Sequence, residues 1–222
     1  MSTQSSVSPT AASEGQVSGV DRFASLCAML AGIVGFLYSI SFVVLKNDLL
    51  IALFLMLGGL FATVALSALY SRVRAAEATL APWAWVLGIA GALGAAIHGG
   101  YDLANAINPP AVNFTLANLP SSIDPRGLLT FGVAGLGFFG FAWLMGRSNQ
   151  FPRAMTYLTY LLAILLVVLY LGRLIILDAK SPLIVVVGVL SGFIVNPLWY
   201  LWLGAVLSQG RKNDKWRTPE LT

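Results

Sequence analysis

The chain has 222 residues, of which 58% are hydrophobic and only 10% charged, with a net charge of +4 and a mean hydropathy of +0.82. A soluble domain carries about 25% charged residues to cover its surface, so a soluble domain, a nucleic-acid binder and a disordered chain are all excluded. Cys27 is the only cysteine, which removes any intrachain disulfide or multi-cysteine metal site.

Residues 1–22, rich in Ser, Thr and Gly with no basic residue before Arg22, read as a disordered tail ahead of an uncleaved first span. Six apolar stretches follow: 23–45, 48–70, 83–107, 127–146, 154–177 and 182–208. Each meets the roughly 20 residues that a helix needs to cross a hydrocarbon core about 30 Å thick. Unbroken runs of this length exclude a transmembrane barrel, whose strands alternate polar and apolar. Residues 209–222 form a basic tail. The expected fold is all-α: a polytopic integral membrane protein built as a six-helix transmembrane bundle.

Basic residues set the expected orientation. Both tails and the loops 71–82 and 147–153 share one side, which holds nine of them: Arg22, Arg72, Arg74, Arg147, Arg153, Arg211, Lys212, Lys215 and Arg217. The other side holds three, Lys46, Arg126 and Lys180. Both termini are therefore expected in the cytoplasm, with the chain in the plasma membrane, as in a bacterial cytoplasmic membrane. Membrane lipid is the expected partner, with a homo-oligomer or larger membrane complex as a further possibility and no nucleic acid.

Two outer connections, at Lys46-Asn47-Asp48 and between Asp178 and Pro182, are short enough to make spans 1 and 2, and spans 5 and 6, antiparallel neighbours. The third, 108–126, carries Pro109, Pro110, Pro120 and Pro125, which preclude a continuous helix. It reads as a lid over the bundle or a cover for the helix ends. Span 3 carries two ladders of small residues, Gly88-Ala92-Ala96-Gly100 and Gly91-Ala95-Gly99, and span 4 is rich in glycine. Such residues let membrane helices approach closely, so span 3 is expected at the centre with span 4 against it.

One polar cluster stands out, because ionisable residues inside a membrane are costly and usually face the bundle interior. His98, Asp102 and Asn105 are spaced i, i+4, i+7 and share a face of span 3. His98 lies about 22 Å above Trp83, Asp102 about 28 Å above it, and Arg173 about 30 Å above Arg153. With Tyr170, Tyr38, Ser39 and Ser41 at similar depth, and Asp124 and Arg126 at the helix ends, these residues suggest an outward-facing polar pocket. The bland reading is an ion pair of Asp102 with Arg173 that fixes helix register. Asn196-Pro197 in span 6 is a hinge candidate, since proline removes a backbone hydrogen bond. Trp83, Trp85, Trp199, Tyr200 and Trp202 read as an inner aromatic belt.

No cofactor is expected. No lysine lies within a span, which excludes a retinal Schiff base, and one histidine cannot supply paired haem ligands or a metal site. Three readings follow. The first is a non-enzymatic accessory, sensor or lipid- or small-molecule-binding protein; the second is a small proton- or ion-coupled transporter using His98 and Asp102. The third is an intramembrane enzyme on a lipid-like substrate, with His98 as base.

Overall fold

A computed structural model describes residues 19–109, 127–176 and 181–209. Its described elements are all helical and form six rods: α1 Gly19–Leu45, α2 Asp48–Val73, α3 Leu80–Ile107, α4 Leu128–Arg147, α5 Arg153–Ile176 and α6 Pro182–Ser208. Each is long and apolar enough to cross a membrane. Of the loop expected over the bundle, only Asn108 and Pro109 fall among the described residues.

The helix ends depart slightly from the sequence expectation. The first rod begins at Gly19, so residues 19–22 are helix rather than tail, and the second continues through Arg72 to Val73. Hydropathy stops at the first charge, whereas a helix stops where its backbone bonding stops. Asp21 in a first turn and Arg72 in a last turn each suit the sign of the helix dipole there.

We refer to the end bearing the α1–α2 turn as the upper end. Lys46 closes that turn at φ 50°, a left-handed conformation usually left to glycine, with its N–H donating to the Ser41 carbonyl. Asn47 then caps α2, its Oδ1 accepting from the Leu50 N–H at 3.1 Å. Pro182 occupies the first turn of α6, where its missing N–H costs nothing.

Each rod packs on its neighbours in the chain, and α1 closes the ring on α6. Small residues decide these contacts. Gly88, Gly91 and Gly94 turn toward Phe141, Ala134 and Leu129 of α4, while Ala92, Ala96 and Gly99 meet Gly59, Met56 and Ala52 of α2. On the closing side, Gly32 sits against the Pro197 carbonyl, and the Ser25 hydroxyl donates to the Gly204 carbonyl at 2.7 Å. Helix α3 thus lies between α2 and α4, with backbones nearly touching on both sides.

Adjacent glycines on α2 give a direct check of this contact. A Cβ at Gly59 would stand 2.5 Å from the Ala92 carbonyl oxygen and the Ala96 nitrogen, whereas one at Gly58 meets only Val34 Cγ1 at 3.8 Å. Gly59→Ala is therefore expected to cost about 1–3 kcal/mol by forcing two backbones apart. Gly58→Ala should be neutral, or gain about 0.5 kcal/mol from helix propensity. Thermal unfolding in detergent separates the two; equal effects would contradict the backbone contact.

The aromatic residues of α6 correct one expectation. Trp199 is 0% exposed and Tyr200 7%, so both belong to the core rather than to an interfacial belt. Trp83 is exposed, while Trp85 is half-buried and stacks on Tyr70 at 5.3 Å.

Candidate functional site

Two polar regions occupy different heights of the bundle. The upper one holds the pair expected from the sequence: His98 Nε2 lies 3.1 Å from Asp102 Oδ2, the distance of an N–H donating to a carboxylate. Both residues lie one turn apart on the α3 face that turns to α4 lower down, so helical geometry alone sets them side by side. The imidazole is mostly buried and the carboxylate about one-third exposed. From α1, the Tyr38 phenol lies close enough to Asp102 and to Arg173 of α5 to feel both charges. Three rods therefore bring polar groups to one region.

Asp102 pairs with His98, and the Arg173 side chain is exposed near the upper end of α5. Asn105 is half-buried on the dyad's own face. Tyr170 turns toward α4, where its ring packs over Gly132. Asp124 and Arg126 lie outside the described residues.

A double-mutant cycle tests the pair. With one partner about a third exposed, the coupling is expected to be no more than about 1 kcal/mol. His98→Ala and Asp102→Asn should each lower the unfolding temperature slightly, and together by less than the sum of the two. Additivity within about 0.3 kcal/mol would show that the contact carries no energy.

The second region lies half-way down the rods, below the dyad. A cavity of about 160 Å³ opens there between all six. Its apolar wall includes Phe54, Phe131, Phe138 and Leu166, and small residues such as Gly58, Gly91 and Ala95 leave the space. Its polar wall is Tyr38, Ser39, Thr130, Ser191, Asn196 and Tyr200. Among the described residues, the lining holds no carboxylate, imidazole, thiol, ammonium or guanidinium.

Helix α6 builds one side of this wall through a change of pitch. Residues Leu190–Val195 form a π-helical turn, closed by the Asn196 N–H donating to the Ser191 carbonyl five residues back. Pro197 follows at once; having no N–H, it cannot donate to the carbonyl of Phe193, and the widened turn absorbs the break. On a regular α-helix, residues five apart point about 140° away from each other. The π turn brings Ser191 and Asn196 to the same cavity, with Tyr200 one α-helical turn further down. Asn196-Pro197, the hinge candidate, therefore sits at the cavity wall, and Pro197 is buried with its carbonyl against Gly32.

Hydrogen bonding across the wall is uneven. The Ser39 hydroxyl donates to the Gly35 carbonyl at 3.2 Å and the Ser191 hydroxyl to the Gly188 carbonyl at 3.1 Å. These hydroxyls keep only lone pairs for the cavity. Asn196 and Tyr200 add a carboxamide and a phenol hydroxyl to the same wall.

The sequence pointed to Ser39 and Asn196 but not to Ser191, Tyr200 or Thr130. The missing signal was the five-residue step from Ser191 to Asn196, which matches a π turn and no α-helical face. No protein-family model, curated protein or solved structure matches this chain.

Proposed function

We propose that the protein inserts in a membrane as a six-span bundle and binds a small molecule in the cavity half-way along its rods. The observation that supports this most strongly is the 160 Å³ space shared by all six helices and faced with hydroxyls and a carboxamide. Its lining offers groups that hold a ligand and none that would activate a nucleophile or move a proton, which favours a carrier, sensor or accessory subunit over an enzyme. Insertion is supported by six long apolar helices whose outward residues, such as Ile97, Ile175 and Val186, are more than half exposed. Such surfaces suit lipid, which is the partner we propose for them. The excess of basic residues on the lower side favours a plasma membrane with both termini in the cytoplasm.

Two experiments test these statements. Native mass spectrometry of protein extracted in mild detergent should show a bound small molecule in the parent and not in Gly58→Leu. Gly58 lines the cavity and has open space for a side chain, so leucine there fills the site without displacing backbone. A parent and variant with the same bound mass would sink the assignment. For orientation, cysteines placed at Asn47 and Ser148 in a Cys27→Ala background should differ, only the first reacting with an impermeant maleimide added outside cells. Labelling of Ser148→Cys alone would invert the topology.

A proton-coupled carrier is a second reading, favoured by the interrupted α6 at the cavity and the His98–Asp102 pair above it. It predicts that liposomes containing the protein admit protons, read by a trapped pH dye, and that Asp102→Asn abolishes this while the protein stays folded. Identical proton entry in parent and variant would remove it.

A further inference from the structure

We infer that the cavity selects an uncharged molecule with a compact apolar body and a hydrogen-bonding edge that both donates and accepts, of the primary carboxamide class. This rests on the reading of the cavity as a binding site and adds to it the chemistry of the occupant. Size comes first. A protein cavity of about 150 Å³ is enough for benzene, so about 160 Å³ holds a ring or short branched body of that order.

Charge comes second. Among the described residues, no ionisable side chain other than the two phenols of Tyr38 and Tyr200 lines the site. The Asp102 and Arg173 charges near Tyr38 are opposite in sign and give no net counter-charge, so an ion placed here would lose its hydration at a cost far above that of a neutral polar group. A neutral ligand is therefore preferred over its charged relative.

Hydrogen bonding comes third and narrows the class. The Ser39 and Ser191 hydroxyls have given their protons to Gly35 and Gly188, so they present acceptors only. The Asn196 carboxamide presents an acceptor and two donors, and the Tyr200 hydroxyl one of each. Tyr200 is 7% exposed, and a buried phenol makes a hydrogen bond when one is in reach. With the Tyr38 and Thr130 hydroxyls also in the wall, these groups match a ligand that carries both N–H donors and a carbonyl acceptor on one edge. A primary carboxamide supplies both, and can pair edge to edge with Asn196 while its second N–H reaches a serine. Phe131 and Phe138, which also line the cavity, cover the apolar body.

Benzene, benzamide and benzoate share a ring and differ only in that edge. Their binding to the full-length protein in lipid nanodiscs, followed by equilibrium dialysis with radiolabelled probes against empty nanodiscs, tests the inference. The expected order is benzamide tightest, benzene weaker and benzoate undetectable. Asn196→Leu should lower benzamide affinity about tenfold or more, the loss of one to two hydrogen bonds, and leave benzene binding in place. Retained benzene binding also shows that the variant is folded. Benzene bound as tightly as benzamide, benzoate bound as well as either, or benzamide binding untouched by Asn196→Leu would each overturn the carboxamide inference while leaving the cavity as a binding site. Binding of none of the three would overturn the cavity reading itself.

Discussion

Replacing Arg72 by methionine is expected to lower stability by about 3 kcal/mol, although the residue lies in the last turn of α2 where its charge would ordinarily serve only to orient the chain. Its side chain is 1% exposed. Nη1 donates to the Val206 carbonyl at 3.2 Å and Nη2 to the Leu207 carbonyl at 2.9 Å, with the Asp21 carboxylate 3.8 Å away. One guanidinium therefore joins the start of α1, the end of α2 and the end of α6. It also reaches the carbonyls at the end of α6, where Leu207 lies in the last turn and Val206 already accepts from the Gln209 N–H at 3.3 Å. Hydrogen bonds from a charged donor contribute about 1.5–3 kcal/mol each. Methionine keeps the apolar stem, so the loss reports the head group. Arg74→Met, on an exposed neighbour, should change little. Thermal and denaturant unfolding in the same detergent compare them, and equal stabilities for the two variants would deny Arg72 any clamping role. Asp21→Asn is expected to cost less than about 1 kcal/mol, because the contact is long and the carboxylate is partly exposed.

Trp199→Ala is expected to cost a similar amount, about 3 kcal/mol, at the low end of the range for deleting a buried aromatic ring. In lipid or detergent the transfer from water contributes little, so the loss is one of packing and of a hydrogen bond. Trp199 is fully buried, meets Phe138 edge to face at 4.8 Å, and donates from Nε1 to the Thr159 hydroxyl at 2.7 Å. Thr159 in turn donates to the Met155 carbonyl at 2.8 Å. The ring thus ties α6 to α4 and α5 next to the cavity. Trp199→Phe separates the contributions: it keeps most of the packing and removes the N–H, for about 1 kcal/mol. If Phe costs as much as Ala, the hydrogen bond and not the packing holds this junction.

Both residues were visible in the sequence, and neither was legible there. Arg72 read as one of nine cytoplasmic charges and Trp199 as part of a belt, because each lies near the end of a hydrophobic run. His98 and Asp102 were legible for the opposite reason. Their contact is local, one turn apart on a single helix, and needs no neighbour to form. The Asp102–Arg173 alternative required two helices to meet at one height and rotation, which no local spacing encodes. The cavity required six.

The sequence by itself determined the number of rods and their approximate ends, since length and hydropathy are properties of consecutive residues. It also marked α3 as a close-packing helix through its glycines and alanines. Tertiary structure alone decided which faces meet, where Arg72 and Trp199 end up, and that Ser191, Asn196 and Tyr200 share a wall. The reason is physical. In a water-soluble helix the core side is marked by an apolar stripe against a polar face. In helices apolar all round, suited to lipid, hydrophobicity does not distinguish a neighbour from the surroundings, so the interior is chosen by shape, small-residue contacts and hydrogen bonds. The π turn of α6 moves one of those hydrogen bonds by a residue, and that displacement completes the polar wall.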